Sequence, residues 1–247
     1  THEGFLRYVV YRESKSTPQR VVGMITASKE NPELMAELAQ QLLEKNLVSG
    51  VIWLVNTKYA DTSEGDMQQQ WGDCSLEEKM SGQILSYPFT SFFQTNPQMA
   101  EKAQQYVISR VTPGKTILDM FCGVGTFSIP LEARADYLVG IEQSPEAIQA
   151  AKENALQLPV RNTVFVVADV AKYLQQLEKE NPNFRYLVTL SREQWDGLHG
   201  RVQEHLPQDV SNTTFYICGL KEMVLGTKDA LERRGVNPKH IRFERYT

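Results

Sequence analysis

Apolar and polar positions alternate along residues 5–12 (FLRYVVYR) and 20–26 (RVVGMIT), the period of a half-buried strand, with the polar turn ESKSTPQ between them. This pattern predicts a hairpin. Asn31 and Pro32 then open a helix with Leu34, Leu38 and Leu42 on one face, and GVIWLVNT at 50–57 reads as a buried strand. The segment TSEGDMQQQWGDCSLEEK reads as a long polar excursion before a strand in GQILSYPF at 82–89. Residues 1–90 are therefore expected to form a small α+β domain.

Asn96 and Pro97 repeat the cap-then-proline start, with Ala100, Ala103 and Val107 on one face of a helix that leads to the turn Pro113-Gly114. From there strand and helix alternate: TILDMFC, helix, YLVGIEQ, a helix from Pro145, TVFVVADV, helix. That order predicts an α/β fold with a Rossmann-like, doubly wound, mainly parallel sheet that takes ligands at the carboxyl ends of its strands. Residues 91–177 make one such half and 178–184 a polar seam. Residues 185–247 make a second half, from RYLVTLSR, a helix near 199–206, TFYICGL, a helix over 220–234 and HIRFERY.

Composition narrows the function classes. Apolar residues make up 41% of the 247 and charged residues 23%, which describes a globular chain. There is no apolar run long enough to span a bilayer and no signal-peptide order, so no membrane partner and a cytoplasmic location are expected. Cys74, Cys122 and Cys218 lie too far apart for a metal knuckle, so no metal is expected. A net charge of −4 predicts no sequence-independent grip on nucleic acid, and no DNA partner is expected; an RNA substrate would need local patches.

The candidate chemistry centres on ILDMFCGVGTFSIP, residues 117–130. Gly123 and Gly125 let the backbone bend sharply and let a ligand approach closely, while the following helix offers unpaired N–H groups. Ser128 stands where a third glycine would complete the dinucleotide fingerprint, so the turn is of another kind. Glu142 ends the second strand, where a carboxylate can accept from both hydroxyls of a ribose. Asp169 ends the third, where it can accept from an adenine amino group. Solvated strand-end acids are the plainer alternative, and for Asp169 so is a helix cap.

The runs SFFQTNP (91–97), ILDMFCGVGTFSIPL, VGIEQSPEAIQAAKENA and VFVVADV resemble the class I S-adenosylmethionine-dependent methyltransferases, and among them the RNA uridine-C5 methyltransferases that make 5-methyluridine in tRNA and rRNA. The resemblance spans residues 4–177. It implies S-adenosylmethionine as cofactor and RNA as partner. It also implies a cofactor contact from Gln94, a flanking aromatic in Phe121, a ribose acceptor in Glu142, and Thr126 and Asp169 in the same pocket. The bland alternatives are a core role for Phe121, backbone satisfaction for Gln94 and a small buried thiol for Cys122.

The family attacks uridine C6 with a cysteine thiolate, methylates C5 and removes the C5 proton with a base. Its Asp-Pro-Pro-Arg and Ser-Cys-Asn-Pro motifs do not occur in this sequence. No catalytic residue is assigned; Cys218 and Glu244 are the remaining candidates. From Phe184 onward the chain instead resembles the NADP-binding half of ferredoxin–NADP reductase-type flavoenzymes. That resemblance implies a 2′-phosphate contact from Ser191 and Arg192, with Cys218 and Gly219 near a nicotinamide. An NADP-binding module, or a non-catalytic fusion, is thus the alternative function, with Arg192 as a plain surface cation the bland reading.

Overall fold

The computed structural model describes residues 4–58, 62–157 and 162–246. The chain divides into two compact units, Thr1–Leu174 and Gln175–Thr247.

The first unit opens with the expected hairpin, β1 (Leu6–Glu13) antiparallel to β2 (Arg20–Thr26). Helix α1 (Pro32–Glu44) starts at Pro32 as anticipated, but its fully buried residues are Met35 and Ala39. Leu34 is 44% exposed, because the stripe facing the sheet is rotated by one position from the three leucines. Strand β3 (Gly50–Val55) pairs parallel to β2 and is buried along its whole length. Val51, Trp53 and Val55 pack toward α1, while Ile52 and Leu54 join the core on the other face; cover on both faces explains an uninterrupted apolar run.

The polar excursion is itself two strands. β4 (Asp66–Gly72) adds an antiparallel edge to β3, and β5 (Ser75–Met80) forms a hairpin with β6 (Gln83–Pro88). In β5 the inward positions are Leu76, Glu78 and Met80, so a buried acid interrupts the alternation that would have marked the strand. The two oxygens of Glu78 take the Lys15 N–H at 2.5 Å and the Ser16 hydroxyl at 2.7 Å, which satisfies the carboxylate inside the fold.

Helix α2 (Pro97–Arg110) is capped by Asn96, whose Oδ1 accepts from the Met99 N–H at 3.1 Å. Its buried side chains are Ala100 and Gln104; Ala103 faces solvent, a second one-position rotation of the expected stripe. Next come β7 (Lys115–Met120), α3 (Ser128–Leu131), β8 (Ala135–Glu142), α4 (Pro145–Ala155), β9 (Thr163–Val167) and α5 (Val170–Glu180). Strands β7, β8 and β9 form a parallel sheet in sequence order. The helix after the glycine turn is a single turn of four residues. Only a 3₁₀ turn, Glu132–Arg134, separates α3 from β8, so the chain has no length for a further helical turn.

In the second unit β12 (Phe215–Leu220), α6 (Lys221–Arg233) and β13 (Ile241–Tyr246) form a parallel βαβ unit, preceded by a two-residue parallel pair, β10 (Thr189–Leu190) and β11 (Leu198–His199). The strand expected over RYLVTLSR is therefore reduced to Thr189–Leu190. The helix expected near 199–206 is a 3₁₀ turn over Val202–His205. Ile217, Val224, Leu231, Val236 and Ile241 form this unit's core. Among the described residues, no helix is long and apolar enough to cross a membrane.

Candidate functional site

Sheet register assembles the rim. Met120, the last residue of β7, lies opposite Ile141, and the Cys122 N–H donates to the Ile141 carbonyl at 3.0 Å. Glu142 lies opposite Val167, and its carbonyl accepts from the Ala168 N–H at 3.0 Å. Phe121, Glu142 and Asp169 thus reach one carboxyl edge, with Gly123, Gly125 and Thr126 in the turn above it.

Phe121 adopts a left-handed φ of 62° and is 71% exposed. A bulky residue pays strain in that region, and here it gains almost no burial in return, which rules out the core alternative for Phe121. Gly123 (φ 54°) has open space where a Cβ would stand, while a Cβ on Gly125 (φ 85°) would come within 2.8 Å of Ile129 Cδ1. The turn is closed by the Gly125 N–H on the Cys122 carbonyl at 2.9 Å and the Ile129 N–H on the Gly125 carbonyl at 3.0 Å. Among the described residues, no backbone carbonyl takes the N–H groups of Gly123, Val124, Thr126 and Phe127. A short turn with several free donors suits an anionic ligand group.

Glu142 is oriented rather than loose. Its Oε1 accepts from the N–H groups of Gln143 at 2.8 Å and Ser144 at 3.0 Å, and Ser144 in turn caps α4. Asp169 does act as a cap: its Oδ1 accepts from the Lys172 N–H at 3.0 Å and its carbonyl from the Tyr173 N–H at 3.0 Å. Cys122 is a buried thiol whose pKa is pushed up to about 12 by burial and then by the Asp119 and Glu142 carboxylates. Such a thiol has no nucleophilic role at neutral pH.

Gln94 is exposed and borders a different hollow of about 250 Å³, with Tyr11, Arg12, Glu78, Tyr87 and Phe92 around it. In the second unit Ser191 and Arg192 line a cavity of about 720 Å³ together with Arg201, Gln203 and Lys221. Leu220 borders that cavity, whereas Cys218 and Gly219 do not line it. Cys218 and Glu244 stand opposite each other on β12 and β13, Sγ to Oε2 3.9 Å. A carboxylate neighbour repels a thiolate, so this pairing does not activate the cysteine.

Four residues around the turn escaped the sequence reading of the site. Asp119, next to last in β7, is half-buried, with its pKa raised by desolvation against hydrogen bonds from Ser128; the Ser128 hydroxyl donates to Asp119 Oδ2 at 2.6 Å. Gln104 donates to the Thr126 carbonyl at 2.5 Å, and Asn154 to the Val124 carbonyl at 3.1 Å. Their only sequence signal is an amide four residues beyond a buried alanine, Ala100 and Ala150.

Known proteins share this architecture. Residues 111–191 match a family model described as a methyltransferase domain. A tRNA (uracil(54)-C(5))-methyltransferase of Pyrococcus horikoshii is 35% identical over 169 residues, 68% of this chain and 39% of that protein. An uncharacterised RNA methyltransferase of Clostridium acetobutylicum is 30% identical over 187 residues, 74% of this chain and 41% of its own length. The crystal structure of Pyrococcus abyssi tRNA (uracil-54, C5)-methyltransferase in complex with S-adenosyl-L-homocysteine superposes with a TM-score of 0.56 and 32% identity, covering 68% of this chain and 41% of that one. The chain is similar to RNA methyltransferases over about two thirds to three quarters of its length. Its sheet is the Rossmann-like sheet of the class I methyltransferases. The chain spans about two fifths of the length of these curated relatives.

Proposed function

We propose that the chain binds S-adenosylmethionine at the rim of Phe121, Gly123, Gly125, Thr126, Glu142 and Asp169, and that it derives from enzymes that methylate C5 of uridine in tRNA or rRNA. The observation that carries this reading is the strained, exposed Phe121 beside the open Gly123 turn, one strand away from an oriented Glu142. An exposed aromatic face offers a flat contact for an adenosyl group or a sulfonium cation. Glu142 is placed to accept from ribose hydroxyls, and the free N–H groups of the turn suit the carboxylate of the methionyl part. Asp169 spends Oδ1 on its cap, which leaves Oδ2 for an adenine amino group. The cofactor, when bound, supplies an electrophilic methyl group.

Gln94 borders a hollow that includes none of the rim residues, and its expected cofactor contact rests on the sequence resemblance alone. No residue of the turn has the chemistry of a C6 nucleophile, since Cys122 is buried and held protonated. The Glu244 carboxylate opposite Cys218 disfavours its thiolate. The chain is therefore expected to bind cofactor without methylating RNA by itself. The test is tritiated methyl transfer to a uridine-rich stem-loop, with 5-fluorouridine RNA as a trap. An adduct formed by the wild type and lost in Cys218→Ala would show that the chain retains the reaction. A second reading, NADP binding, rests on the cationic cavity beside Ser191 and Arg192; micromolar NADP affinity lost in Arg192→Ala would promote it.

A further inference from the structure

Two buried amides grip the inner side of the glycine turn. Gln104 of α2 is 1% exposed and Asn154 of α4 is 2% exposed, burial that polar side chains tolerate only with their hydrogen bonds made. Gln104 Nε2 donates to the Thr126 carbonyl at 2.5 Å, and its Oε1 accepts from the Ser81 hydroxyl at 2.9 Å. Asn154 Nδ2 donates to the carbonyls of Val124 at 3.1 Å and Ser86 at 2.9 Å, while its Oδ1 accepts from the Ser86 N–H at 2.8 Å. The carbonyls on either side of Gly125 are thus both held, and both are tied to the β5–β6 hairpin.

A glycine turn is the backbone segment with most freedom to lose, and ordering it only on binding would subtract from affinity. The fixed Val124 carbonyl shares its peptide with the Gly125 N–H that closes the turn on Cys122, and the fixed Thr126 carbonyl shares its peptide with the Phe127 N–H, so neither peptide can flip without breaking an amide contact and the Phe127 donor is kept on the ligand side. We propose that Gln104 and Asn154 are positioning residues that hold the turn in its ligand-ready form before the cofactor arrives, and that the β5–β6 hairpin is the anchor against which they do so. This rests on the reading of the turn as an S-adenosylmethionine site and names the residues that preorganise it.

The proposal assigns a ligand-specific effect. Adenosine engages the Glu142 side of the rim, whereas S-adenosylhomocysteine also engages the turn, so loosening the turn should affect only the second. Calorimetry with both ligands, on the wild type, Gln104→Glu, Asn154→Asp and Ser81→Ala, tests this. Each acid keeps the shape and removes the N–H donor; Ser81→Ala is the mild variant, removing only the hydroxyl that orients the Gln104 amide. Affinity for S-adenosylhomocysteine is expected to fall about tenfold in either acid variant, the size of one lost hydrogen bond to a preorganised group, and two- to threefold in Ser81→Ala, with adenosine unchanged.

Hydrogen exchange on the free proteins supplies a readout independent of ligand, and faster exchange confined to residues 121–128 is expected. Wild-type-like affinity in both acid variants, or equal losses for the two ligands, would overturn the proposal while leaving the cofactor site standing. Failure of the wild type to bind S-adenosylhomocysteine would overturn the site reading and this inference with it.

Discussion

Ser128 Oγ donates to Asp119 Oδ2 at 2.6 Å, which links the end of β7 to the start of α3 across the glycine turn. Burial raises the Asp119 pKa above its ordinary 3.8, partly offset by Ser128. The folded protein therefore binds a proton that the unfolded chain has released. The contribution to stability is fully present below pH 3.8 and is lost as the pH climbs through the raised native value. Asp119→Asn keeps an acceptor for Ser128 and removes the half-buried charge. Urea denaturation from pH 3.5 to 7 should find the variant more stable than the parent at pH 7, with the difference vanishing toward the acid end. A parent whose stability rises across that window relative to the variant would refute the assignment.

Phe121 should trade stability for binding. A left-handed conformation costs an L-residue about 1–2 kcal/mol, which glycine escapes, although glycine's extra unfolded-state freedom takes part of the gain back. Because Phe121 is largely exposed, its removal forfeits little packing. Phe121→Gly should melt at or above the wild-type temperature and bind S-adenosylmethionine about tenfold more weakly, the worth of one aromatic contact. A lower melting temperature would show that the ring supports the fold.

The three thiols should separate cleanly. Cys74 and Cys122 are buried, and burial pushes both thiols up, Cys122 to about 12; Cys218 is exposed. At pH 8 iodoacetamide should label one cysteine per native chain, Cys218, and all three in denaturant. Rapid native labelling of Cys122 would contradict the packing of the turn.

Much of this architecture is legible in the residues, because strands such as GVIWLV and helices opened by Asn-Pro carry strong local signals. The rim is legible for the same reason: Glu142 and Asp169 follow the ends of apolar runs, and parallel register places such ends side by side. What was hidden depends on polar groups satisfied inside the fold. Strand β5 was missed because Glu78 sits at an inward position, paired with Lys15 and Ser16. Gln104 and Asn154 were missed because an amide on a helix gives no sign of which distant carbonyl it will meet. The second unit reads less well, since β10 and β11 are too short for any pattern to mark.

The central claim is that this rim holds S-adenosylmethionine, and isothermal calorimetry on the wild type and Glu142→Ala tests it most directly. The carboxylate is oriented by the N–H groups of Gln143 and Ser144 and is the acceptor assigned to the ribose hydroxyls. Losing a charged acceptor should weaken binding by about 1–3 kcal/mol, a roughly 5- to 150-fold rise in Kd. Equal affinities in the two proteins, or no binding to the wild type, would contradict the account.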